Sequence, residues 1–208
     1  MIGLVAAAGI AAYASRRYYR NWGATRHECE TDYPGDELVP DPAITTTQAV
    51  SIDAPADVIW QWLVQIGQDR GGMYSYEKLE NALGLDIHNT DEIRPEWQDL
   101  EVGDEVRLVP RGWLGLEDGL ALPVAQVAHN EYIVLREDPE RTPWDAVWSF
   151  HIVPRGAGNC RLISHTRQHR TNWGDVVGAE MTGPVTLFMT RKMLLGIKER
   201  AEHTASRR

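Results

Sequence analysis

The sequence predicts an α+β fold in which a curved antiparallel sheet wraps around one long C-terminal helix. Three observations point there. Residues 104–169 carry strand-like segments in succession, separated only by short turns, which is the pattern of an antiparallel meander. A β-branched stretch at 45–54 and two short helical patterns precede them. The chain then closes on a single helical run at 184–202, and an amphipathic helix must bury its stripe against an apolar sheet face.

In chain order, residues 1–20 stand apart as an apolar tail. Residues 2–14, IGLVAAAGIAAYA, carry no charge and run straight into the basic SRRYYR. As a helix that stretch is too short to cross a hydrocarbon core of about 30 Å. It is a candidate for membrane contact, with a cleaved signal and an ordinary helix as the alternatives; the rest of the chain is expected in the cytoplasm. Residues 21–44 include YPGDELVPDPA, rich in Pro, Gly and acids and without a period, and are expected as an extended linker crossing a surface. Residues 45–208 form the folded domain.

Within it, TTTQAVSIDA (45–54) is a strand. PADVIWQWLVQIG (55–67) is a helix, with Pro55 in the first turn, apolar residues at 58, 59, 62, 63 and 66, and Gly67 as its C-cap. A second helix spans 76–83, with Ser75 as N-cap and Gly84 as terminator. After a mostly irregular stretch come strands at 104–109, 122–129, 131–137, 144–153 and 159–169. The closing helix has Pro184 in its first turn and gathers Lys and Arg toward its end, which suits the helix dipole.

A formal net charge of −9, with no compact basic stripe to reverse it, excludes nucleic acid as a partner. Cys29 and Cys160 make no disulfide framework and no zinc pattern, which points to a reducing compartment. Eight tryptophans and seven tyrosines stand against two phenylalanines. Such amphipathic rings line pockets or fill a Trp-rich core, and both readings stay open.

The glycines at 67, 71 and 72 do not form a phosphate loop, because no lysine follows the pair and the dinucleotide spacing is absent. They are expected as a tight corner that carries Tyr74 and Tyr76 toward the mouth of a cavity. Asp86, His88, Asp91, Glu92 and Glu96 form a polar cluster after the second helix, but DIHNTDE (86–92) lacks calcium-loop spacing and a second histidine, so no metal is expected. No nucleophile elbow, zinc-protease or cofactor motif is present, so no catalytic residue and no cofactor are assigned.

Three stretches carry a family resemblance. VSIDAPADVIWQWL resembles the first strand and helix of the START-like superfamily, the helix-grip proteins that include polyketide cyclases and lipid carriers. GQDRGGMYSYEKLENALGLDIHN and RKMLLGIKERAE resemble a loop-and-helix segment and the closing helix of a largely uncharacterised bacterial and archaeal subgroup. The resemblance covers residues 22–202. It implies a cavity between sheet and C-terminal helix that takes a small hydrophobic molecule, lipid-like or polyketide-like.

The residues placed in that cavity are Tyr74, Tyr76, Trp148, Phe150, His165, Arg167, Met189 and Met193. Trp144, Ala146, Trp148, Phe150 and Ile152 share one face of their strand and make an apolar wall. Methionines adapt to irregular ligands, although a Met stripe at helical spacing also suits a solid core. On 159–169 one face carries Arg161, Ile163, His165, Arg167 and His169, and the other carries Cys160, Leu162, Ser164, Thr166 and Gln168. Arg167 is suited to a ligand carboxylate or carbonyl and His165 to proton transfer; alternatively this basic face points to solvent. The subgroup often has arginine where His165 stands. Binding or carriage of a hydrophobic molecule is the leading function. The alternatives are a cyclase- or hydratase-type enzyme using His165 or Tyr74 with Arg167, and an acidic protein-interaction module.

Overall fold

A computed structural model describes residues 18–136, 145–156, 158–169 and 173–208, with the backbone alone described over 173–182 and at 184. The candidate membrane tail, residues 2–14, and Trp144 lie outside the described residues. Six strands, β1 (Ile44–Ile52), β2 (Glu105–Val109), β3 (Leu120–Ala128), β4 (Tyr132–Arg136), β5 (Asp145–Gly156) and β6 (Asn159–His169), form one sheet. Their order is β1-β6-β5-β4-β3-β2, every pair antiparallel. Helices α1 (Arg26–Glu30), α2 (Ala56–Leu63), α3 (Glu77–Ala82) and α4 (Trp173–Ala205) complete the fold. The α+β helix-grip architecture is therefore as expected, with β1 returning to pair with the last strand and the long helix laid across the sheet.

Register decides which residues share a face. Gln48, Ser164 and Phe150 are opposed across β1, β6 and β5, as are Val50, Leu162 and Ile152. The apolar residues of these rows belong with α2 and α4 to one core, in which Ile52, Ile59, Leu63, Leu162, Leu194 and Ile197 are fully buried. Each such side chain contributes about 1.5–3 kcal/mol relative to exposure. The alternate positions, among them Ala49, Ile163, Val134 and Val147, pack against Tyr33 and Val39 on the opposite face.

Residues 21–44, expected as an extended linker crossing a surface, cross the outer face of the sheet and carry two short helical turns. Thr25 and Glu28 form a capping box, each side chain bonded to the other's backbone amide, and start α1. A 3₁₀ turn follows at Asp36–Leu38. The strap they form lies on the sheet's outer face and buries Glu28, Tyr33, Asp36 and Val39. At Gly35, with φ of 96°, a Cβ would stand 2.6 Å from Val134, so only glycine lets the strap approach this closely.

Three boundaries also differ from expectation. Helix α2 stops at Leu63 with Val64 as its cap, and Gly67 instead pairs with Gly72 in a two-residue antiparallel bridge. The N-cap of α3 is Tyr76, because the Ser75 hydroxyl donates to the Met189 carbonyl. Helix α4 begins at Trp173, well before Pro184. A proline removes one helical hydrogen bond, which this long helix tolerates.

Gly196 of α4 sits against the carbonyl oxygen of Tyr74, and a Cβ there would run into it. In an unencumbered helix, Gly→Ala stabilises by about 1 kcal/mol. Here Gly196→Ala is expected to destabilise by about 1–3 kcal/mol. A lowered urea midpoint checks the sign; a raised one would show that α4 does not press on the corner.

Candidate functional site

The concave face, under α4, changes character along the strands. At one end Val50, Leu162 and Ile152 are sealed. The next row, Gln48–Ser164–Phe150, is also sealed, but two of its three residues are polar. Beyond it Thr46 is opposite Thr166 and Trp148, and Ile44 is opposite Gln168 and Ala146. In these last two rows Trp148, Thr166, Ile44, Gln168 and Ala146 are only partly buried. The Trp148 ring lies 4.8 Å from that of Phe150 and its indole N–H donates to Ser164 Oγ at 2.8 Å. A half-open aromatic is thus held in one orientation by a serine on the neighbouring strand.

Helix α4 explains the gradient. It tracks β1 in the same direction: the Leu187 carbonyl accepts from Gln48 Nε2, Lys198 donates to the Ser51 carbonyl, and Glu202 accepts from the Asp53 amide. The stretch ahead of Leu187 therefore runs toward the open rows. Met193 is sealed in the core, and Met189 is partly buried beside Ser75.

The two expected tyrosines lie elsewhere. Tyr74 is 1% exposed, packs edge-on against Trp62, accepts from Gln65 and lies under the Arg200 guanidinium. Burial pushes its phenol above the usual range, so it stays protonated. Tyr76 is half-buried and stacks on Phe188 of α4, centroids 4.8 Å apart. One turn on, Glu80 is 3% exposed and its Oε2 has no hydrogen-bond partner. Burial, with a smaller push from the Glu77 charge, raises its carboxyl to about 7.

His165 and Arg167 point the other way, onto the outer face beneath the strap. His165 Nδ1 meets Thr47 Oγ1 at 3.0 Å, and its Nε2 faces Asp36 Oδ1 at 3.2 Å. Arg167 contacts Asp36 Oδ2 at 3.2 Å and donates to the Val39 and Pro40 carbonyls. Tyr33 lies over both His151 and His165. Burial, helped by the nearby His165, presses His151 down to about 3, so it is neutral and bonded to Ser149 Oγ at 2.8 Å. An enzymatic site in which His165 or Tyr74 acts beside Arg167 finds only part of its geometry: His165 and Arg167 meet at Asp36 beneath the strap, and the sheet separates them from Tyr74 and from the concave face. Apart from exposed His169, the basic face is covered by the strap: Arg161 grips buried Glu28 through two 2.8 Å bonds, with Arg155 at 3.2 Å.

Other candidates resolve into local pairs. Asp91 is held by Arg200 at 2.6 Å, while Glu92 and Glu96 lie near Arg94 and His88 near Asp86. Among the described residues no three metal-binding side chains converge. A groove of about 940 Å³ runs along the outer side of α4, but Asp91, Lys192, Glu199, Arg200 and Arg207 make its walls polar. No helix among the described residues is long and apolar enough to cross a membrane.

Sequence reasoning missed Gln48, Thr46, Ser164 and Thr166 on the inner face, and Glu28, Tyr33 and Asp36 on the outer. The alternation on 159–169 was visible, and the apolar pair Cys160 and Leu162 was the one signal that its Ser164 face points inward.

The chain matches no protein-family model and no curated protein. Similar solved structures do exist. A protein of Thermobifida fusca, solved by NMR, is 14% identical over 76% of this chain and 93% of its own, with a TM-score of 0.49. CalC, a self-sacrificing resistance protein of Micromonospora echinospora, is 11% identical over 79% and 97%, TM-score 0.45. Norcoclaurine synthase of Thalictrum flavum is 20% identical over 77% and 96%, TM-score 0.41.

Two carboxylates give opposite pH dependences. Burial alone would raise Glu28, but the Arg161 hydrogen bonds and charge and the Thr25 amide outweigh it and hold the carboxyl at about 2, below its ordinary 4.5. Its stabilisation is present above 4.5 and is lost as pH falls toward about 2. Glu28→Gln should cost about 3 kcal/mol or more near neutral pH and flatten the acid limb of urea-unfolding stability; an unchanged limb would contradict the assignment. Glu80 is raised, so the folded state holds its proton more tightly and stability falls as pH rises from 4.5 to about 7. Glu80→Gln should therefore raise the thermal midpoint at about pH 8 relative to wild type, with the gain shrinking toward about pH 4.

Proposed function

We propose that the protein binds one small hydrophobic molecule on the concave face of its sheet, beneath the N-terminal half of α4. The reading makes it a START-like carrier of the prokaryotic subgroup that its loop and closing helix resemble. One observation carries the proposal: the concave face is sealed through the Phe150 row and only partly buried from Trp148 outward. An aromatic held in place by a neighbouring strand, next to rows left open, suits capture of an apolar body by burial. Trp148 and Phe150 are its wall. A lipid-like or polyketide-like ligand fits this lining, and residues 2–14 would hold such a carrier near a membrane.

Carriage is favoured over catalysis by the placement of the titratable groups. His165, Arg167 and His151 are beneath the strap, and the strands bring no charged side chain to the concave face among the described residues.

Titration of the full chain with the uncharged dye Nile red should give saturable fluorescence enhancement. Trp148→Ala is expected to weaken it about tenfold, the loss of one well-packed aromatic contact. Native mass spectrometry of protein purified from its own cells should show a co-purifying apolar molecule. No dye uptake, or uptake indifferent to Trp148, would remove the proposed site.

A further inference from the structure

The proposed site carries one polar feature that an apolar ligand would not satisfy. Gln48 is 2% exposed and sits on the concave face directly opposite Ser164. Its Nε2 donates to the Tyr19 carbonyl at 2.8 Å and the Leu187 carbonyl at 3.1 Å. Both partners can only accept, so the amide cannot be turned round without losing both bonds. Its Oε1 is left buried with no hydrogen-bond partner. A buried acceptor in that state is unfavourable and uncommon, and it calls for a donor.

Ser164 supplies the complementary half. Its Oγ accepts from the Trp148 indole at 2.8 Å, and a hydroxyl that accepts still has its own proton to give. Among the described residues nothing takes that proton. Directly opposed residues on one sheet face have Cβ atoms about 4.5–5.5 Å apart, so their side chains are neighbours. The free acceptor and the free donor thus belong to directly opposed residues, in the row next to the open ones.

Resting on the reading of the concave face as a ligand site, we propose that its ligand is an uncharged apolar molecule bearing an alcohol hydroxyl. The hydroxyl donates to Gln48 Oε1 and accepts from Ser164 Oγ–H. A hydroxyl is both donor and acceptor, so it satisfies both groups. A ketone would satisfy Ser164 and leave Gln48 bare. A carboxylate would face the Gln48 oxygen with no cation on the strands to offset its desolvation. The neutral polar residues Thr46, Thr166 and Gln168 continue this lining along β1 and β6, opposite the apolar wall of β4 and β5. The ligand accordingly lies with its polar group toward β1 and β6.

The test is displacement of Nile red from the full chain by decan-1-ol, decane and decanoate. Decan-1-ol is expected to compete about tenfold more tightly than decane or decanoate, the equivalent of one net hydrogen bond. In Gln48→Met the ratio of decanol to decane affinity should fall toward one. Gln48 also ties α4 to the chain near Tyr19, so Ser164→Ala, which keeps those ties, serves as the second variant and should lower the same ratio; circular dichroism checks that each is folded. Equal displacement by decanol and decane, or tighter binding of decanoate, overturns the hydroxyl assignment and leaves the apolar site standing. Failure of Nile red to bind overturns the site itself.

Discussion

β6 is paired on both sides, and one register serves two faces at once. His165 stands opposite Thr47 and Ser149, while its neighbour Ser164 stands opposite Gln48 and Phe150. A slip of one residue would exchange the two sets, sending His165 and Arg167 under α4 and Leu162 under the strap. Both results are costly. The Arg167 guanidinium and the polar His165 ring would enter an apolar core without partners, and Asp36 and Glu28 would lose the bases that they are buried against. The register is therefore specified from both sides of the sheet, and every functional placement follows from it.

Antiparallel sheets commonly leave one face to water. Here the strap covers the second face and explains why so polar a strand is buried. Arg161 and Arg167 are long bases whose carboxylate partners come from residues 28 and 36, on a segment that precedes the first strand. Pairs of this kind are weak stabilisers when measured against apolar replacements but severe to break singly. Their effect is to fix one position of the strap rather than to supply most of the folding free energy, which comes from the α2–α4–sheet core.

That core is also what leaves the candidate site open. Helix α4 is anchored along its later turns, where Leu194, Ile197 and Ala201 are fully buried and Lys198 and Glu202 bond to β1 and the residue after it. Tight packing at one end of a rigid helix sets the height of the other above the sheet. The rows of Trp148 and Ala146 lie beyond the point where Leu187 ties α4 to Gln48. The proposed ligand site lies in the half of the grip away from these anchors.

The sequence by itself determined the local elements and their order. The strand pattern marked all six strands to within a few residues, and the apolar positions from 58 to 66 marked α2. These signals are periodic and short-range, so no partner need be known to read them. What it could not decide was direction. Trp148 and Phe150 were recognisable as an apolar wall, yet 159–169 offers two mixed faces, and only pairing with β1 shows that Ser164 turns inward and His165 outward. That pairing joins residues 118 apart, such as Thr47 and His165. The strap was obscured for a related reason: Pro, Gly and acids describe a chain without period, whereas its burial depends on Arg161 and Arg167, which lie more than a hundred residues later. Propensity acts over a turn or a strand, but the face a side chain meets is set by whatever distant segment folds against it, and only the tertiary structure supplies that.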